Sequence, residues 1–98
     1  MKFEWDEQKR MINIERHGVD FMTVLPLFQD NNSVYFEDNR KDYGEQRLIL
    51  MGEQNGRLFQ IAYTVRDLKI RIISARHGNN RERKIYEQKK NDTSNTDT

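Results

Sequence analysis

Arg47-Leu-Ile-Leu-Met-Gly-Glu-Gln54, Asn55-Gly56 and Arg57-Leu-Phe-Gln-Ile-Ala-Tyr-Thr-Val65 together form the stretch that decides the fold. Both arms read as half-buried strands. The Asn-Gly between them suits a two-residue type I′ turn, whose central residues must both take positive φ. A second turn at Arg66-Asp67 leads into another alternating strand, Lys69 to Ala75. With two-residue turns at both places, one sheet face collects Leu48, Leu50, Phe59, Ile61, Tyr63, Leu68, Ile70 and Ile72, and that face is the core. The opposite face collects Arg47, Ile49, Met51, Gln60, Ala62, Thr64, Lys69, Arg71 and Ile73, with Ala62 beside Arg71. A face so mixed in apolar and basic groups needs a cover: a helix of this chain, a partner or a substrate.

Upstream, Phe3-Glu-Trp5 reads as a short opening strand. Asp6 is a good N-cap for a helix over 7–17, with Met11, Ile12 and Ile14 as its buried stripe and Gly18 as its C′ residue. Asp20 caps a second, shorter helix through Phe28, which Pro26 should kink or end early. Val34-Tyr-Phe36 begins another strand, and Glu37 to Gly44 is a polar loop. Trp5, Phe21, Phe28 and Tyr35 are expected in the core. Downstream, a glycine turn at His77-Gly78 restarts the chain as a basic helix. The order is β-α-α-β-β-β-β-α, an α+β domain with two N-terminal helices and one C-terminal helix packed on an antiparallel meander. Residues 1–90 form that single domain, and the tail 91–98, with nothing apolar in it, is expected to be disordered.

With 35% hydrophobic and 34% charged residues in a chain of 98, the core is lean. No apolar run approaches a membrane span, and the first residues are no secretory signal. The absence of cysteine fits the cytoplasm and excludes thiolate metal sites. His17 and His77 are too few to hold a metal, and no cofactor is expected. The net charge of +1 hides a dipole: residues 1–45 carry −4 and residues 46–98 carry +5. From Arg66 to Lys90 there are nine Lys or Arg against three acids, the end where a polyanion would dock.

Several residues in that region can do chemistry. Arg71 and Arg76 can hold a phosphate bidentately and stabilise a pentavalent transition state; they can equally be solubilising charge on an edge strand. Lys69, Arg81, Arg83 and Lys84 extend the RNA-binding cluster. Glu82 and Tyr86 share a helix face and could move protons, or they neutralise an arginine and pack on the sheet. His17, at a helix C-terminus, is either a general acid or a side chain bonding a terminal carbonyl.

Phe3-Glu-Trp5-Asp6, with Asn13 ahead of Arg16-His17-Gly18-Val19, resembles the N-terminal pattern of the BrnT family of bacterial toxins. Arg71-Ile-Ile-Ser74-Ala-Arg76 and Glu82-Arg83-Lys-Ile-Tyr86 are similar to the family's second block, and Gly56-Arg57-Leu58 fits its hairpin. The likeness spans about residues 3–88, with His77-Gly78-Asn79-Asn80 departing from it where the last helix begins. The resemblance implies a RelE-like fold and a type II toxin that acts as a metal-independent endoribonuclease and blocks translation. It implies a BrnA-like ribbon-helix-helix antitoxin, a two-plus-two complex, and operator DNA bound only through the antitoxin. The residues by themselves reach a basic RNA-handling domain, so a second class stays open. That class is a non-catalytic RNA- or ribosome-binding module, or an assembly subunit of a DNA-binding repressor.

Overall fold

Asn55 and Gly56 take φ of 54° and 77°, so the hairpin closes through the expected turn. It joins β3 (Leu48–Gln54) to β4 (Arg57–Arg66). β5 (Lys69–His77) follows through a second turn of the same kind, with Asp67 at φ 52° and Leu68 at φ 65°. This turn lies one residue later than Arg66-Asp67, because Arg66 pairs with Lys69. The shift corrects the register: Arg71 faces Thr64, and Ser74 faces Ala62. Leu68 leaves the core for the exposed turn tip. A bulge opposite Ala62 and Tyr63 leaves Ile73 without a partner, so that Ser74 and Arg76 stay on the same sheet face as Arg71.

The computed structural model describes the backbone of residues 1–95 and the side chains of residues 1–92. β1 (Lys2–Glu4) and β2 (Val34–Glu37) complete one five-stranded sheet of order β1-β5-β4-β3-β2. Strands β2 to β5 form the antiparallel meander, but β1 pairs parallel to β5, so the sheet is mixed. β1 and β5 are the first and last strands of the chain, with the helices and β2 to β4 between them, so no tight turn forces them antiparallel.

The helices divide between the two faces. α1 (Glu7–His17) starts at Asp6, whose carboxylate accepts from the Gln8 and Lys9 amides, and ends at Gly18 in the left-handed region. α2 (Phe21–Val24) gives way to a 3-10 turn, Leu25–Gln29, where Pro26 has no amide hydrogen to continue the α pattern. Phe21, Val24, Leu27 and Phe28 close over Leu50, Ile61, Tyr63 and Ile72 on the core face. Trp5 packs at the margin of this cluster, but Tyr35 is exposed at its own strand edge.

The expected stripe on α1 is corrected: Met11 and Ile12 are 57% and 51% exposed, and the residue it buries is Asn13. That amide donates to the carbonyls of Val19 (2.8 Å) and Ala75 (2.7 Å) and accepts from the Ala75 N–H (3.1 Å). β1 pairs only with residues 69–71, and further along β5 Asn13 takes the place of a neighbouring strand at Ala75.

α3 (Asn80–Asn95) covers the second face with Tyr86, 1% exposed, against Val34, Ile49, Met51 and Leu58. A helix of the chain is therefore the cover that this face needs. α3 also runs five residues into the segment expected to be disordered, and residues 96–98 lie outside the described part.

Candidate active site

Arg76 leaves β5 on the α3 side of the sheet, opposite Gln60. Two residues on, the Gly78 amide bonds the Leu58 carbonyl at 2.9 Å. A Cβ on Gly78 would press on the Leu58 side chain, 2.8 Å from its Cγ, so only glycine lets the chain fold back this closely. Asn79 then caps α3. Its side chain accepts from the Glu82 N–H (2.8 Å), while Glu82 accepts from the Asn79 N–H (2.9 Å), a reciprocal capping box. The box aims Glu82 back at Arg76, which donates to both its carboxylate oxygens (2.8 and 2.6 Å). Arg76 Nη1 also donates to the His77 carbonyl at 3.1 Å. With its amide oriented to satisfy both neighbours, Gln60 accepts from Arg76 Nη2 (3.1 Å) and donates to Glu82 (2.9 Å). Arg76, chiefly by its hydrogen bonds, holds the Glu82 carboxyl below its ordinary range.

Beside this cluster lies an open groove of about 360 Å³. Phe36, Ile49, Met51 and Ile85 give it an apolar side, and Glu37, Asp38, Asn39, Arg40, Gln60, Asn79, Arg81 and Glu82 a polar one. It can take a flat ring against the apolar side and a phosphate against the guanidinium groups.

The structure brings together Arg76, Arg81 and Glu82 from the sequence-derived site and separates the others. Arg71 shares the face of Arg76, but five residues along β5 put about 16 Å between their backbones. Its guanidinium donates to Glu4 at 3.1 Å instead, and Lys69 lies further off still. Arg71 and Arg76, expected to hold one phosphate together, are therefore not side by side and have different partners. Arg83 pairs with Glu53 (2.8 Å) and Glu87 (3.4 Å), pinning α3 to the hairpin, and Lys84 is exposed on α3. Tyr86 is core, and burial pushes its hydroxyl pKa up. His17 lines a separate small cleft with Arg16, Asn13 and Ile73. His77 stacks on Phe59 with ring centres 4.7 Å apart.

The reading of the residues missed Asp38, Arg40, Gln60 and Asn79. The Asn79-x-x-Glu82 spacing is a capping-box signal present in the sequence. Nothing periodic marks Asp38 and Arg40, which sit in the loop after β2. Among the described residues, no three His, Asp or Glu side chains gather as a metal site needs, and no helix is long and apolar enough to cross a membrane.

A small α+β domain with a fixed guanidinium beside a half-apolar groove has the means to hold a phosphate ester. The family model for BrnT, the ribonuclease toxin of type II toxin–antitoxin systems, matches residues 5–82, and the chain belongs to that family. No curated protein matches the chain significantly.

Proposed function

We propose that this toxin is a metal-independent endoribonuclease of RelE-like fold, which cuts RNA in the cytoplasm and so stops translation. The observation that carries the reading is Arg76, anchored by Glu82 and Gln60 beside a groove with room for a nucleotide. The 2′-hydroxyl oxygen attacks the adjacent phosphorus and the P–O5′ bond breaks, leaving a 2′,3′-cyclic phosphate and a 5′-hydroxyl end. Arg76 stabilises the extra negative charge of the phosphorane. Arg81, on the groove wall, holds flanking backbone.

Glu82 accepts the 2′-proton, and the leaving oxygen takes one from water in the open groove. All four Nη hydrogens of Arg76 are already engaged by Glu82, His77 and Gln60. A phosphate must therefore take over from Glu82. In doing so it removes what holds the Glu82 carboxyl acidic and makes it a better base. This chemistry asks for no metal, since Arg76 supplies the positive charge and Glu82 the base.

A BrnA-like ribbon-helix-helix antitoxin neutralises the toxin in a two-plus-two complex, and operator DNA is reached only through it. The exposed Met11, Ile12 and Met22 supply apolar surface for such a partner. Purified toxin should cut single-stranded RNA in excess EDTA and leave cyclic phosphate ends. Cleavage lost on chelation and restored by one divalent ion would overturn the mechanism. RNA that is bound but stays intact, with or without ribosomes, would instead favour the binding module or the repressor subunit.

A further inference from the structure

Arg40 projects from the loop between β2 and β3, where it lines the groove with its side chain 73% exposed. An exposed arginine on a loop is ordinarily free to move, but this one is braced. Asp38, its side chain only 3% exposed, accepts from Arg40 Nε and Nη2 (2.9 Å each) and from the Arg40 backbone N–H (3.2 Å). The Tyr43 hydroxyl donates to the same carboxylate at 3.2 Å. The Asp38 N–H bonds the Arg47 carbonyl at 2.8 Å, and the Arg47 guanidinium lies 3.9 Å from the Tyr43 ring centre. The loop is thus tied to the start of β3 at both its backbone and its rings.

Arg40, on the groove wall, and Arg76, beside the groove, differ in what they have left to give. Arg76 has its four Nη hydrogens engaged. Arg40 spends Nε and one Nη2 hydrogen on Asp38, which leaves three hydrogens along its outer edge, the edge that forks onto a phosphate. Arg40 acts on Arg76 as a like charge. An anion between them would relieve that repulsion.

We propose that Arg40, oriented by Asp38, is the phosphate clamp that captures single-stranded RNA before Arg76 exchanges Glu82 for substrate. Arg40 binds without giving up a partner, so its contribution falls on ground-state binding, whereas that of Arg76 falls on the chemical step. The inference rests on the ribonuclease reading of this groove, but its test does not depend on cleavage.

Binding of a fluorescent 2′-deoxy-substituted oligonucleotide, which has no attacking hydroxyl, is measured by anisotropy against salt. Arg40→Ala should weaken binding by about tenfold near 0.1 M salt and flatten the log–log salt slope by about 0.7, the worth of one single-strand phosphate contact. Arg40→Lys should recover the slope but only part of the affinity, since lysine cannot fork. Asp38→Asn, its folding checked by thermal melting, should lose affinity and keep the slope. Unchanged affinity and slope in Arg40→Ala would overturn the clamp, and full affinity in both Arg40→Lys and Asp38→Asn would overturn its positioning by Asp38. Weakened binding of the oligonucleotide together with uncut RNA would retain the clamp and reject the ribonuclease.

Discussion

The two ends of β5 each carry an arginine paired to a glutamate, yet they are built differently. At the Lys69 end the strand is flanked by β1 and β4 backbone, and Arg71 makes one 3.1 Å bond to Glu4. At the His77 end β1 has stopped, the Asn13 side chain closes the open edge, and Arg76 is gripped from a second element and a neighbouring strand. The same side chains thus form a singly bonded ion pair in one place and a multiply held cation beside a groove in the other. Orientation separates them: a fixed charge aimed at a developing anion costs no reorganisation during reaction.

The largest expected effect tests that difference directly. Arg76→Ala should lower the RNA cleavage rate by about 10²–10³-fold, the worth of one transition-state donor. Arg71→Ala should change it by no more than about fivefold, since a singly bonded ion pair away from the groove contributes little. Rates compared at matched far-UV circular dichroism decide the matter. Equal losses in the two variants would mean that charge on this face counts and its fixing does not.

Next comes the closure of the strand edge. Asn13→Ala leaves the buried N–H and C=O of Ala75 without partners, which should cost about 2–4 kcal/mol in urea unfolding. The effect should concentrate at the His77 end, so amide exchange at Ala75 should speed up more than at Ile70. A loss under about 1 kcal/mol would show that water replaces the asparagine at little cost.

Asn13 also marks where local pattern reading reached its end. The limits of α1, the Asn55-Gly56 hairpin and the break at Pro26 were legible because caps, turns and proline act within a few residues. The buried face of α1 was not, since Asn13 is buried by partners in Val19 and Ala75 that no helical periodicity announces. The turn after β4 shifted by one residue because Leu68 accepts an uncommon backbone. In the site, Arg76 and Glu82 were legible as a strand cation and a helix acid, but their pairing was not, since the acid had neighbours in Arg81 and Arg83 to neutralise instead. Arg40 was hidden because its place depends on a carboxylate buried by tertiary packing.

A smaller effect concerns pH. Glu82 has its folded-state pKa lowered from the ordinary value near 4.5, with its hydrogen bonds from Arg76 as the main cause. Its ionised form therefore stabilises the fold fully above that ordinary value, and the contribution is lost as pH falls below it through the folded-state pKa. Glu82→Gln can keep the capping box but not the charge. The melting-temperature gap between the wild type and this variant should be constant above about pH 5.5 and narrow below about pH 4.5. A gap that ignores pH would mean that the charge of Glu82 adds nothing to folding.

The smallest effect belongs to the Lys69 end and should be a gain. Leu68 holds φ 65° at the second position of the turn and is 94% exposed, so its side chain pays the left-handed strain and buries almost nothing in return. Glycine takes that conformation without the Cβ clash, at the cost of a more mobile unfolded chain. The balance should favour Leu68→Gly by about 0.5–1 kcal/mol, a rise of a few degrees in melting temperature. Cleavage should stay at the wild-type rate, since this turn lies at the opposite end of β5 from Arg76. A loss of stability would show that Leu68 packs against something in solution. A loss of cleavage would join the two ends of β5 into one site and undo the contrast between them.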